Sequence, residues 1–178
     1  MKLYFVRHGE TDWNLEKRAQ GQVETPLNST GIRQAEELRE KIKKYKFDVC
    51  YCSPLKRAVQ TAGIILQNHN IKIIYDDNLK ERSFGSLEGT DESTWTLDEF
   101  DLKLNSCEGG MESIKDVLER SKKVLERIKS ENPPDAKVLI VAHDFFLRTL
   151  HFNIVGYTDD TDFRIFGFKN GSITKYAI

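Results

Sequence analysis

The feature that most restricts the fold is a pair of short, unbroken apolar runs, at residues 3–6 and 138–142, each leading to a histidine: His8 after the first, His143 after the second. Runs that are apolar at every position, rather than at alternate ones, fit strands covered on both faces, as in a parallel sheet between helical layers. Residues 47–52 read as another strand, stopped by Ser53-Pro54, and residues 71–75 as a further short one. Residues 11–25 are a polar stretch without periodicity. Elsewhere the spacing turns helical. Asn28 opens a helix carrying Ile32, Ala35, Leu38 and Ile42; residues 56–68 place Ala58, Ala62, Ile65 and Leu66 together; residues 113–129 align Ile114, Val117, Leu118, Val124, Leu125 and Ile128. A helix over 146–152 and two short strands within 163–176, around a turn at Asn170-Gly171, complete the pattern. Strands alternating with helices predict an α/β fold: one domain over residues 1–178, its mostly parallel central sheet flanked by helices on both faces.

Composition narrows what such a domain can do. The chain has 178 residues and a net charge of −1, with a sequence pI near 6.4, so nothing draws it generally to nucleic acid or to an anionic membrane. Phosphate, if bound, must be held by cations gathered locally. The amino-terminal apolar run is far too short for a signal peptide, and no stretch approaches a membrane span. Cys50, Cys52 and Cys107 follow no zinc or disulfide-exchange spacing, so reduced thiols and a cytoplasmic location are expected. The sequence contains no metal-ligand cluster and calls for no cofactor. It does not disclose an oligomeric state.

In parallel α/β sheets ligands sit beyond the carboxyl ends of the strands. Arg7-His8, the segment from Ser53 to Arg57, and His143 all fall there. A single histidine at a strand end is usually a hydrogen-bonded structural residue, and His69 and His151 are read that way. The set taken together matches what phosphoryl transfer needs. A neutral imidazole can attack phosphorus without prior deprotonation, provided its other nitrogen has an acceptor that fixes the tautomer. Guanidiniums and further donors must surround the three charged oxygens, and a carboxylic acid must protonate the departing oxygen. Arg7, Arg57, Asn14, His143 and Glu81 can fill those places.

The sequence resembles the histidine phosphatases, a family that includes the cofactor-dependent phosphoglycerate mutases. The resemblance lies in four ordered blocks. They are Leu3-Tyr4-Phe5-Val6-Arg7-His8-Gly9-Glu10-Thr11 with Asn14; Ser53-Pro54-Leu55-Lys56-Arg57-Ala58; Leu79-Lys80-Glu81-Arg82-Ser83-Phe84-Gly85 through Gly89; and residues 138–143 ending at His143. Gln20-Gly21 and Gly109-Gly110-Met111 also match the pattern. The resemblance implies a phosphoglycerate mutase-like three-layer sandwich and a metal-independent phosphohistidine mechanism on a small phosphomonoester. His8 would be the nucleophile, and Arg7, Arg57 and His143 would hold the phosphoryl oxygens with Asn14 assisting. Thr11, Gln20, Gly21 and Arg82 would join the binding site. Glu81 would serve as general acid and then base; Glu88 is the competing carboxylate, read as structural. Glu10 is expected to orient neighbours or pair with Arg7. One departure stands out: the family usually has Gly-Gly after the second histidine, and here the pair is Asp144-Phe145. Pointing inward, Asp144 would weaken phosphate binding; pointing outward, it would cap the following helix.

Mutases and phosphatases share the covalent step. Residues 90–108 make a short lid in place of a mutase's long insert, and its acidic residues Asp91, Glu92, Asp98, Glu99, Asp101 and Glu108 face only Lys103 as a cation. An acidic lid disfavours a phosphoglycerate, whereas Arg82 is mutase-like; hydrolysis is the expectation, with mutase transfer and a non-catalytic phosphate-binding module as alternatives. Trp95, Leu97, Phe100 and Leu102 are expected either to line a leaving-group pocket or to pack the lid down.

Overall fold

The computed structural model describes residues 1–95 and 100–178. Its centre is a five-stranded sheet made of β1 (Lys2–Arg7), β2 (Val49–Cys52), β3 (Lys72–Tyr75), β4 (Lys137–Ala142) and β5 (Ile173–Ala177), in the order β3-β2-β4-β1-β5. The first four strands run parallel, and β5 pairs antiparallel with β1 at the edge. β4 is late in sequence yet lies between β1 and β2. His8, His143 and the turn leading to Arg57 therefore leave three neighbouring strands at the same end. The ladder continues past the strands themselves: His8 N–H donates to the Ala142 carbonyl at 3.1 Å and Ser53 N–H to that of Val141 at 2.9 Å.

Alternation along each strand sorts its side chains between two cores. Leu3, Phe5, Tyr51, Val138 and Ile140 pack with α4 (Ile114–Glu131) and α5 (Asp144–Val155). Tyr4, Val6, Cys50, Cys52, Leu139 and Val141 pack with α2 (Ser29–Ile42) and α3 (Lys56–Ile65) on the opposite face. The expected α/β domain with helices on both sides is thus the fold. Caps explain where the helices start. Asn28 accepts from Gly31 N–H at 2.8 Å to begin α2, and Ser113 accepts from Asp116 N–H at 3.2 Å to begin α4. Glu24, distant in sequence, accepts from Lys56 N–H at 2.8 Å at the start of α3.

Two local readings differ from the structure. Within the polar stretch 11–25, residues Asp12–Leu15 form a single-turn helix, α1, closed by a capping box between Thr11 and Asn14. Of the two strands expected within 163–176, only β5 forms. Residues 163–168 run beside the sheet edge with Phe163 and Phe168 buried, and side chains take their backbone groups: Arg7 bonds the Phe168 carbonyl, Asp144 the Phe168 N–H and Arg148 the Phe163 carbonyl. Three of the backbone groups that a ladder would use there are thus already taken.

The loop after β1 lies against the start of α2 with no room for a side chain. A Cβ on Gly31 would sit 2.1 Å from the Glu10 carbonyl oxygen, and one on Gly9 2.4 Å from that of Gly31. Gly31→Ala should therefore destabilise the fold by about 1–3 kcal/mol, the usual cost of overpacking. Differential scanning calorimetry should show a Tm lowered by roughly 2–4 °C per kcal/mol. An unchanged Tm would mean that the loop relaxes freely.

Candidate active site

A cavity of about 240 Å³ opens at the carboxyl ends of β1 and β4, lined by Arg7, His8, Asn14, Gln20, Gly21, Arg57, Glu81 and Asp144 with Arg148, Glu92 and four aromatic rings. His8 is buried at its floor. Its Nδ1 lies 2.7 Å from the Gly9 carbonyl, which can only accept, so Nδ1 carries the proton and Nε2 keeps its lone pair. Arg57 Nε–H points between two imidazoles, 3.3 Å from His8 Nε2 and 3.2 Å from His143 Nδ1. His143 then donates from Nε2 to Ser53 Oγ at 2.7 Å. Both histidines are pushed well below their ordinary range, first by burial and then by the Arg57 charge, so both are neutral near pH 7.

The cations are held in place by backbone. Arg57 comes from the first turn of α3 and donates to the Gly21 carbonyl at 2.7 Å and the Val23 carbonyl at 2.8 Å. Burial lowers its pKa to about 10, which leaves it charged at neutral pH. Arg7 bonds the Phe168 carbonyl at 2.6 Å through Nη1, and its Nη2 makes no hydrogen bond among the described residues. Two amides complete the donors. Asn14 Oδ1 is occupied by Thr11 and Asn170, and Gln20 Oε1 by the hydroxyls of Thr11 and Thr25, so each amide nitrogen is left for the cavity.

Glu81 lines the same cavity from the segment after β3. Its Oε1 accepts the N–H groups of Arg82 and Phe146, and its Oε2 that of Phe145, which ties the carboxyl to the start of α5. Its pKa is raised chiefly by burial; the Asp144 charge adds to this, and the three backbone donors oppose it. Oε2 keeps one open position for a proton.

The other residues expected in the site are placed differently. Gly21 lines the cavity and offers Arg57 its carbonyl. Thr11 is wholly buried outside the cavity lining, where it orients Asn14 and Gln20. Arg82 is buried behind the aromatic wall, its guanidinium over the rings of Phe145 and Phe84, with Nε bonded to the Glu112 carbonyl. Glu88 braces two loops by accepting from Gln22 N–H and Phe84 N–H. Glu10 bonds Asn28 rather than Arg7. His151 stacks on Phe166, and His69 bonds the Tyr45 carbonyl. Trp95 and Phe100 line the cavity with Phe84 and Phe145, Leu102 is core, and Leu97, Asp98 and Glu99 lie outside the described residues.

Sequence reasoning missed Arg148, Ser53 as the partner of His143, and Asn170. Asn170 Nδ2 donates to the His8 carbonyl at 3.1 Å and to Asn14 at 3.2 Å. The Asn-Gly pair there was legible only as a turn. For Arg148 a signal existed: it stands four residues after Asp144, the helical spacing of an ion pair.

The sequence profile described as "Histidine phosphatase superfamily (branch 1)" matches residues 3–178. The chain belongs to the histidine phosphatase superfamily. It is 39% identical over 152 residues to the "Uncharacterized phosphatase PhoE" of Bacillus subtilis, covering 85% of this chain and 76% of that protein. It is 31% identical over 182 residues to the "Probable phosphoglycerate mutase GpmB" of Proteus mirabilis, covering 98% and 84%. Among solved structures, a mycobacterial glucosyl-3-phosphoglycerate phosphatase in complex with VO3 superposes with a TM-score of 0.86 at 26% identity, covering 98% of this histidine phosphatase and 91% of that chain. The protein is accordingly an enzyme of the histidine phosphatase type. Among the described residues no helix is long and apolar enough to cross a membrane.

Proposed function

We propose that this histidine phosphatase hydrolyses small phosphomonoesters through a phosphohistidine on His8. One observation carries the reading: His8 keeps an unprotonated Nε2 at the floor of the cavity, with Nδ1–H fixed on the Gly9 carbonyl and Arg57 and Arg7 beside it. The Nε2 lone pair attacks phosphorus as the ester P–O bond breaks, and the departing oxygen takes the proton from Glu81 Oε2. Arg7 Nη2, the Arg57 guanidinium and the Asn14 and Gln20 amides receive the phosphoryl oxygens, so the charge is met by the protein's own cations. Arg57 Nε–H passes from His8 to an incoming oxygen, and His143 holds that arginine from the far side. Glu81, now a carboxylate, removes a proton from water; the oxygen attacks phosphorus, the N–P bond breaks, and its electrons return to Nε2.

Among the described residues, 90–95 and 100–108 serve as the lid of this site. Residues 89–92 are pinned to the loop after α1 through the Ala19, Gly89 and Glu92 N–H groups, and Trp95 and Phe100 extend the wall made by Phe84 and Phe145. Hydrolysis is favoured over mutase transfer because Arg82, the mutase-like residue, is buried behind that wall. The deciding assay is a panel of phosphorylated metabolites, scored in one reaction for phosphate release and for isomerisation. Isomerisation outrunning release would overturn the choice.

The pH profile follows from the protonation states. His8 must be neutral, and its pKa lies well below the imidazole range, so kcat/KM should hold on the acid side until well under pH 6.5. Glu81 must begin protonated, and its pKa lies above the carboxylate range, so activity should fall as pH rises through that raised value. Glu81→Gln should remove the alkaline limb. A limb that persists in this variant assigns it to another group, such as the substrate's own phosphate.

A further inference from the structure

Asp144 stands where the resembled family usually has glycine, and the structure gives its carboxylate a definite task. The side chain lines the cavity instead of turning to solvent. Its Oδ1 accepts the Phe168 N–H at 2.7 Å. Its Oδ2 takes the Arg148 guanidinium and lies 3.6 Å from Arg7 Nη1. These pairs are about four-fifths buried, so water screens them little. Arg148 is in turn fixed by the Phe163 carbonyl at 2.9 Å and by the bare backbone of Gly167, where a Cβ would stand 2.9 Å from the guanidinium.

We propose that Asp144 is the charge-balancing residue of this cavity: it neutralises part of Arg7 and Arg148, so that the site grips the phosphoryl group of a substrate without retaining inorganic phosphate. The inference rests on the reading that Arg7 binds the phosphoryl group. The cavity gathers three guanidiniums, Arg7, Arg57 and Arg148, around about 240 Å³. Without Asp144 beside Arg7 and Arg148 the product dianion would be held more tightly, and its release would limit turnover. Asp144 also sits beside the N–H of Phe145 that holds Glu81, so its negative charge disfavours a second one on Glu81. The other charged or titratable groups around the cavity are Arg7 and His8 after β1, Arg57 on α3 with the Glu24 and Glu88 charges acting on it, His143 after β4, Glu92, Arg82, and Arg120 on α4, which pairs with Glu112 and donates to the Glu81 carbonyl. Asp144 is the carboxylate whose charge acts on Glu81.

The test measures inhibition by inorganic phosphate, with p-nitrophenyl phosphate as substrate and Tm recorded for each variant. Asp144→Asn keeps an acceptor for the Phe168 N–H and removes the charge. Its inhibition constant for phosphate should fall by roughly tenfold, the scale of one partly screened unit charge at close range. The alkaline limb of its kcat/KM profile, measured with an alkyl phosphate whose leaving oxygen needs the Glu81 proton, should also move to lower pH. Arg148→Gln should act in the opposite sense, raising that constant, because Asp144 then bears wholly on Arg7. A merely structural Asp144 would lower Tm and leave both readouts in place. An unchanged or raised inhibition constant in Asp144→Asn overturns the proposal; if that variant does not fold, a lowered constant in Arg148→Gln does so. The phosphohistidine reading is tested apart from this, by the turnover left in His8→Ala and by phosphate trapped on the unaltered protein.

Discussion

Replacing His8 with alanine should lower kcat by about 10⁴-fold or more, the loss seen when a covalent nucleophile is removed. The expected size follows from what the residue alone supplies. Arg7, Arg57 and the two amides can still gather a phosphate, so KM should change far less than kcat. The attacking lone pair, however, exists at one atom, because Nδ1 is committed to the Gly9 carbonyl. A denaturing alkaline quench during turnover of the unaltered enzyme should trap phosphate on the protein that is stable to base and released by later acid treatment, and His8→Ala should trap none. Turnover in that variant within tenfold of the original would sink the assignment. His143 is no substitute nucleophile, since its Nε2 is spent on Ser53 and its Nδ1 on Arg57.

The second large effect belongs to Glu81. Glu81→Gln should cost about 10²- to 10⁴-fold in kcat/KM for an alkyl phosphate, the usual range for a general acid. With p-nitrophenyl phosphate, whose leaving oxygen needs no proton, the loss should be much smaller. That contrast separates proton transfer from structural damage. A glutamine offers one acceptor oxygen to the three N–H groups that now hold the carboxylate, so some loosening at the start of α5 is expected with either substrate. Equal losses on the two substrates would leave Glu81 as an anchor for that helix and nothing more.

The parts of this molecule that could be read in advance are those where one physical demand dominates. The strands before His8 and His143 are continuous apolar segments that stop at polar residues, and burial between two helical layers permits little else. The helices α2 and α4 announce themselves through period and cap. Residues 163–168 show the opposite case: aromatic content suggested a strand, but Arg7, Asp144 and Arg148, distant in sequence, claim the backbone. No local pattern reports such a claim. The same holds within the site. His8, Arg57, Glu81 and Asn14 converge because the strand order brings their loops together, whereas Thr11 and Arg82, equally suggestive in sequence, lie outside the cavity lining. Residue type could nominate them; only the path of the chain could tell a ligand from a support.

The ladder between β1 and β4 has one more consequence. It runs unbroken from Lys2↔Lys137 to Arg7↔Ala142, and the two histidines follow directly, their ring centroids 5.1 Å apart. That is close to the ~4.8 Å between any two hydrogen-bonded strands. The separation of His8 and His143 is thus inherited from backbone geometry that no single side chain controls. The mouth of the cavity is built instead from side chains of the connecting segments, Glu92, Trp95 and Phe100 among them. Natural drift or a designer can therefore exchange side chains at the mouth while the spacing of the two histidines stays constant. Substrate range and reaction geometry are, in this architecture, separately heritable traits.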